Sequence, residues 1–226
     1  MELEGFTMTA TDVKKLDAAQ TKAMILYAGE KIRENKPLLT KVDSAIGDGD
    51  HGIGMSVGFE KVEENLKDQE FTTINDIFKK TGMSMVQSMG GASGVIFGTM
   101  FLGGVKDLDS KSELDVPVLS EIFSASLDAI KQRGKASLGD KTMIDALEPA
   151  VNGLKESVTD SATLLEALKK AEENAADGVE NSKNYIAKFG RAKSLGERAL
   201  GNQDAGATSV WIIFKSMREW VEQLNK

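Results

Sequence analysis

VIFGTMFLGGV, residues Val95 to Val105, is apolar on nearly every side, and the reading of this run decides the fold. Strand-like alternation is nearly absent around it, whereas apolar residues recur at three- and four-residue spacing almost everywhere else in the chain. The run is therefore expected to be a helix, at about 92–107, central among other helices. Working outward, Met55, Phe59, Val62 and Leu66 mark a helix at about 51–66. A third starts at Thr72 or Thr73 as N-cap and ends at Gly90-Gly91. The first covers about 10–34 and stops before Pro37. On the other side, helices follow at about 117–133 with Pro117 in the first turn, at 142–157 with Pro149 expected to kink it, at 161–188 and at 204–224.

Eight helices with one apolar stripe each have no sheet to cover them and must pack on one another. The fold class is all-α, an eight-helix antiparallel up-and-down bundle or barrel, in one domain over 1–226 with 1–9 as a flexible extension. Segments 35–50, 134–141 and 189–203 and the Gly90-Gly91 turn each join an odd helix to an even one. In an antiparallel arrangement they meet at the same end, and glycine-rich loops gathered at one mouth mark a site.

Composition bounds the chemistry. The chain has 226 residues, 41% of them hydrophobic, a formal charge of −7 and no cysteine. The charge argues against a nucleic-acid or anionic-membrane surface. The missing thiols remove disulfides and most zinc sites and suit a cytoplasmic protein. The N-terminus has no signal-peptide pattern, and no apolar run approaches the ~20 residues of a membrane span.

The sharpest local feature is VDSAIGDGDHGIG, Val42 to Gly54. Asp43, Asp48 and Asp50 fall within eight residues, and His51, the single histidine, follows. Packed carboxylates repel unless something positive sits among them. Hard oxygen donors favour Mg²⁺ or Ca²⁺ over zinc. An EF-hand starting at Asp48 fails, because Gly52, Ile53 and Phe59 fall where an acidic ligand, the turn glycine and the bidentate glutamate belong. Magnesium completes its octahedron with water and phosphate oxygens. His51-Gly52-Ile53-Gly54 then opens a helix whose free N–H groups and dipole favour an anion. A nucleotide diphosphate satisfies both halves. A solvated acidic turn would account for the aspartates alone. MGGASG (Met89–Gly94), GDKTM (Gly139–Met143) and GRAKSLGERALGNQDAGATS (Gly190–Ser209) likewise each have a plain use, as a helix contact, an N-capped start and a loop with surface ion pairs.

Together and in this order, these segments resemble the nucleotide-binding L subunit family of dihydroxyacetone kinase, over nearly the whole chain from about Asp17. The resemblance implies an eight-helix antiparallel barrel with ADP or ATP and two Mg²⁺ at one end. It implies Asp43, Asp48 and Asp50 as metal ligands and His51, Gly52, Ile53 and Gly54 as the phosphate-binding helix start. Ala92 and Ser93 would join them from the second glycine-rich turn. Gly134 and Met143 would border the nucleotide. Arg191, with Asp204, Ala205 and Gly206, would close the site, Arg191 also stabilising charge during transfer. Two positions depart from the family pattern: Gly54 stands where asparagine is common, and Ala205 where proline is. The first leaves phosphate contact there to the backbone.

The implied partners are a K subunit that carries dihydroxyacetone on a histidine and, in phosphotransferase-dependent systems, an M subunit whose phosphohistidine recharges bound ADP. A free-standing L chain favours that type over one exchanging ATP. An erythrulose-type ketose, or a second role as an ADP-loaded module docking a transcription regulator, fits the same sequence. In the related nucleotide domain of fatty-acid kinases threonine tends to follow the acidic pair, where His51 stands here.

Overall fold

The structure, a computed structural model, describes residues 13–226. The expected 1–9 extension and the start of the first expected helix lie outside them. Nine α-helices are present among the described residues: α1 (Ala18–Glu34), α2 (Lys36–Ile46), α3 (His51–Leu66), α4 (Ile74–Ser88), α5 (Gly91–Leu102), α6 (Val116–Gly134), α7 (Ile144–Thr159), α8 (Leu164–Ser182) and α9 (Ala205–Leu224). A two-residue pairing joins β1 (Leu16–Asp17) to β2 (Glu113–Leu114), with Leu16 opposite Leu114.

The eight longer helices form a closed ring. Each packs on its neighbour in the order α1, α3, α4, α5, α6, α7, α8, α9, and α9 returns to α1. The up-and-down expectation is met. The ninth helix, α2, occupies the segment expected to be irregular at 35–50. Pro37 does not merely stop α1; it sits in the first turn of α2, where its missing N–H costs nothing. Helix α1 begins at Ala18 and not near residue 10, because Asp17 and Gln20 form a reciprocal capping box. Helix α8 ends at Ser182, short of the expected 188, and short 3-10 turns occupy Arg191–Ala199 around Gly196, whose φ is +57°.

The core is continuous. Phe59, Phe101, Phe78, Phe123 and Phe214 form a chain of tilted and edge-on aromatic contacts with centroids 5.0–6.3 Å apart. All five are buried, and deleting one such ring costs ~3–5 kcal/mol. Helix α5 is one member of the ring, not its centre, and Val95, Ile96 and Leu102 remain half-buried. Its glycines explain its composition: a Cβ on Gly82 of α4 would lie 2.5 Å from the Gly98 carbonyl, so the two helices touch backbone to backbone.

Pro149 stays inside α7. It cannot donate to the Asp145 carbonyl one turn back, and that carbonyl is where Gly178 of α8 packs, too close for any side chain. The Asn174 side-chain amide donates to the Pro149 carbonyl at 3.0 Å and completes the seam.

Candidate functional site

The connections α1–α3, α4–α5, α6–α7 and α8–α9 meet at one end of the ring and enclose a cavity of about 820 Å³. The helix starts divide sharply. At the far end, α1, α4, α6 and α8 are each capped by a side chain, from Asp17, Thr73, Asp115 and Thr163. At the cavity end, α3, α5 and α7 have no side-chain cap; only α9 does, from Asp204 to the Ala207 N–H at 2.8 Å. Unsatisfied helix N–H groups need partners. At α7 the Ile144, Asp145 and Ala146 N–H groups donate to Thr142 Oγ1 and to the Thr142 and Met143 carbonyls, so the starts left open around the cavity are those of α3 beyond His51 and of α5.

The acidic turn forms one wall. Asp43 lies in the last turn of α2, Gly47 caps that helix, and Gly49 turns the chain at φ +78° so that Asp50 precedes α3. A Cβ on Gly49 would fall 2.5 Å from Ser44 Oγ, so glycine is needed there for both space and conformation. Asp43, Asp48 and Asp50 each offer a carboxylate oxygen, all within 4.8 Å of one another. The Asp50 carboxyl is held above its ordinary pKa, first by burial and then by the negative Asp48 and Asp43, while Arg191 opposes the shift. Arg191 Nε pairs with Asp48 Oδ2. One positive group among the aspartates is therefore an arginine brought from residues distant in sequence.

The His51 N–H donates to Asp43 Oδ2 at 3.2 Å, and its ring turns inward, with Nε2 2.8 Å from Ser209 Oγ on α9 and the Phe97 ring 5.7 Å away. Burial lowers the imidazole pKa, with Asp43 opposing, so the neutral ring is favoured near pH 7. Ile53, Gly54, Ala92, Ser93, Met143, Ala205 and Gly206 all line the cavity. Gly52 and Gly134 are outside its lining. Gly52 is buried against α2, where a Cβ would meet Thr40 Oγ1 at 2.5 Å and the Lys36 carbonyl at 2.6 Å. Gly134 ends α6, with Ile96 Cδ1 3.6 Å from where a Cβ would stand.

Several lining residues escaped the sequence reading. Met89, Ile96, Phe97 and Phe189, with Ile53 and Val57, make an apolar wall beside the polar mouth. Phe189, a large apolar residue in an irregular segment, was the available signal. A second missed group is Lys141, within the quoted GDKTM. It is 2% exposed, and its Nζ donates to the Ser182 carbonyl at 2.6 Å and the Asn202 carbonyl at 2.5 Å. Burial lowers its pKa, with Asp204 and Asp145 opposing. Asp145 accepts the Gly139 and Thr142 N–H groups at 2.6 Å each. Burial pushes the carboxyl of Asp204 up to about 7, partly offset by the Ala207 N–H.

A cluster of carboxylates facing uncapped helix starts defines the class, an all-α barrel whose open end suits an anion and cations together. Comparison with known proteins gives the family. Residues 45–219 match the DAK2 domain. The PEP-dependent dihydroxyacetone kinase 1 ADP-binding subunit DhaL of Listeria innocua is 42% identical over 190 residues, covering 84% of this chain and 89% of that one. The corresponding Escherichia coli K12 subunit is 36% identical over 202 residues, covering 89% and 96%. The crystal structure of the dihydroxyacetone kinase of C. freundii in its native form shares the fold, with a TM-score of 0.71 at 23% identity. The alignment covers 97% of this chain but only 37% of that kinase. The chain belongs to the DAK2 domain family, among its DhaL subunits of dihydroxyacetone kinases.

Proposed function

We propose that this chain is the nucleotide-binding, phosphoryl-transferring subunit of a dihydroxyacetone kinase, acting on a ketose held by a separate K subunit. The observation that carries the reading is the carboxylate cluster of Asp43, Asp48 and Asp50 beside the uncapped starts of α3 and α5 around one cavity. Three carboxylates of this spacing fit two Mg²⁺, which when bound would supply charge neutralisation for phosphate oxygens. The helix-start N–H groups orient the phosphates from the other side. The apolar wall of Ile53, Met89, Ile96 and Phe97 suits the flat face of adenine. Arg191, on a segment that crosses the mouth, supplies positive charge where transfer increases negative charge.

Relatives covered over most of their length are named PEP- or PTS-dependent ADP-binding subunits, which favours ADP as a retained coenzyme, recharged by the phosphohistidine of an M subunit. A related crystal structure contains AMP-PNP and Mg²⁺. Ile53 and Val57 at the cavity, and Leu138, Ile186 and Leu200 on the α6–α7 and α8–α9 connections, are exposed apolar side chains, as a surface that docks other subunits would carry. Among the described residues no helix is long and apolar enough to cross a membrane, and a cytoplasmic location is part of the proposal.

The test is the nucleotide released on denaturing protein purified in Mg²⁺ without added nucleotide. Near-stoichiometric ADP, and sugar phosphate formed only when K and phosphorylated M subunits are both supplied, is the expected result. A site that binds ATP only on addition and supports turnover without M would replace the coenzyme reading with an exchanging kinase. No binding of any adenine nucleotide would overturn the function.

A further inference from the structure

The segment 183–204 between α8 and α9 carries Arg191 and Phe189 into the cavity, yet little of the main core holds it. Phe189 packs at the edge of the main core; the segment's other apolar contacts form a separate, small cluster of Ala187, Ala192 and Ala199 with Ile46 of α2, and Leu195 half-buried against them. Alanines bury little area, so this cluster contributes modestly to cohesion. The remaining grip is polar: Arg191 pairs with Asp48 of the acidic turn, and the other contacts converge on two adjacent residues of the α6–α7 connection. The Lys188 N–H donates to the Asp140 carbonyl at 3.1 Å, and the exposed Lys188 Nζ pairs with the buried Asp140 Oδ1 at 2.6 Å. Lys141 reaches further. Its buried ammonium donates to the Ser182 and Asn202 carbonyls, which bracket the segment.

Two features set this lysine apart. No carboxylate lies within ion-pair distance of it among the described residues, so its charge is solvated by the backbone carbonyls it holds. It also sits at φ +58°, a conformation that a non-glycine residue adopts at a cost. Beside it the Gly201 N–H donates to the Lys183 carbonyl at 2.9 Å and the Asp204 N–H to Ser182 Oγ at 2.9 Å, so both ends of the segment are drawn to one point.

We propose that Lys141 is a positioning residue whose ammonium pins the two ends of segment 183–204 together, and so sets how fast the Arg191 wall opens and a bound nucleotide escapes. The inference rests on the nucleotide reading above for its ligand, but not for the pin itself. Hydrogen bonds to a charged, buried donor are strong enough that losing two should raise the open population about tenfold or more.

The experiment compares wild type with Lys141→Met in the full chain, by two readouts. Limited trypsin digestion without nucleotide reports opening directly, because Lys183, Lys188, Arg191, Lys193 and Arg198 are cleavage sites within the segment. Chase of radiolabelled ADP by excess unlabelled ADP in Mg²⁺ reports escape. Both rates should rise about tenfold or more, with circular dichroism unchanged. Faster ADP loss with unchanged cleavage would mean that Lys141 touches the ligand directly, and would overturn the pin. Unchanged rates in both, or faster cleavage with an unchanged chase, would overturn it too. Failure of the wild type to bind ADP would refute the nucleotide reading, while the digestion still decides the pin. If Lys141→Met does not fold, native-state hydrogen exchange on the wild type decides: amides Lys188, Gly201 and Asp204 should open together, well below the global unfolding free energy. Exchange of those amides only through global unfolding would refute the proposal.

Discussion

Replacing Asp50 by asparagine should stabilise the metal-free protein and abolish its response to magnesium and nucleotide. The three carboxylates at Asp43, Asp48 and Asp50 lie within 4.8 Å of one another. Two unit charges at that distance repel by about 1 kcal/mol in water and more in a poorer dielectric. Asp48 and Asp50 are exposed, so the aqueous value applies, and physiological salt roughly halves it. Asp50→Asn removes two such repulsions, about 1 kcal/mol in all, against a smaller lost attraction to Arg191, and in a chain of this size should raise Tm by up to about 2–4 °C. The effect in the presence of ligand is opposite. For the wild type, saturation at a hundred times Kd adds about 2.7 kcal/mol, and the variant should forfeit most of it. Scanning calorimetry of both proteins in EDTA, and then in Mg²⁺ with ADP, measures the two shifts. A destabilised metal-free variant would show that the aspartates serve the fold, for instance as hydrogen-bond acceptors such as Asp43 is for His51. An undiminished Mg²⁺–ADP shift would refute the ligand assignment. Phosphoryl transfer with the partner subunits should be lost while helix content stays constant.

Asp204 carries a pH signature. Its folded pKa is raised to about 7 from an ordinary value of 3.8, so between those values the native state binds a proton that the unfolded state has released. Its contribution to stability is greatest below about pH 4, declines as pH rises through that window and levels off above about 7. Urea midpoints at pH 4.5–8 should show this fall in the wild type, and Asp204→Asn should flatten it; an unchanged slope would assign it to other groups. Gly178→Ala should cost roughly 3 kcal/mol or more, because the new methyl would overlap the Asp145 carbonyl; a Tm within 2 °C of wild type, checked by calorimetry, would show that the α7–α8 seam yields easily. Gly54→Asn should fold normally, since a Cβ there meets only Met89 Cε at 4.0 Å. The added amide should tighten ADP binding by titration calorimetry severalfold, and weaker binding would place the phosphates elsewhere.

Helical periodicity was legible because each stripe needs only local spacing, and the shared end of four loops followed from parity alone. The acidic turn was legible because its three aspartates are close in sequence. What escaped depended on partners far along the chain. Helix α2 was hidden because Pro37 reads as a terminator, although it fits a first turn equally well. Helix α5 was read as central from its apolar surface, whereas its glycines serve close contact with α4 and its outer side chains stay half-buried. Phe189 and Lys141 gave no periodic signal, since both stand in irregular segments.

By itself, then, the sequence determined the all-α class, the one-ended site and the carboxylates at its mouth, because these follow from spacing and residue chemistry within short windows. Only the tertiary structure decided which cations meet which carbonyls and carboxylates. Arg191 reaches Asp48 where α9 closes the ring against α1, and Lys141 reaches Ser182 and Asn202 through the packing of α7 on α8 and α8 on α9. No local pattern encodes the distance between residues that such packing brings together.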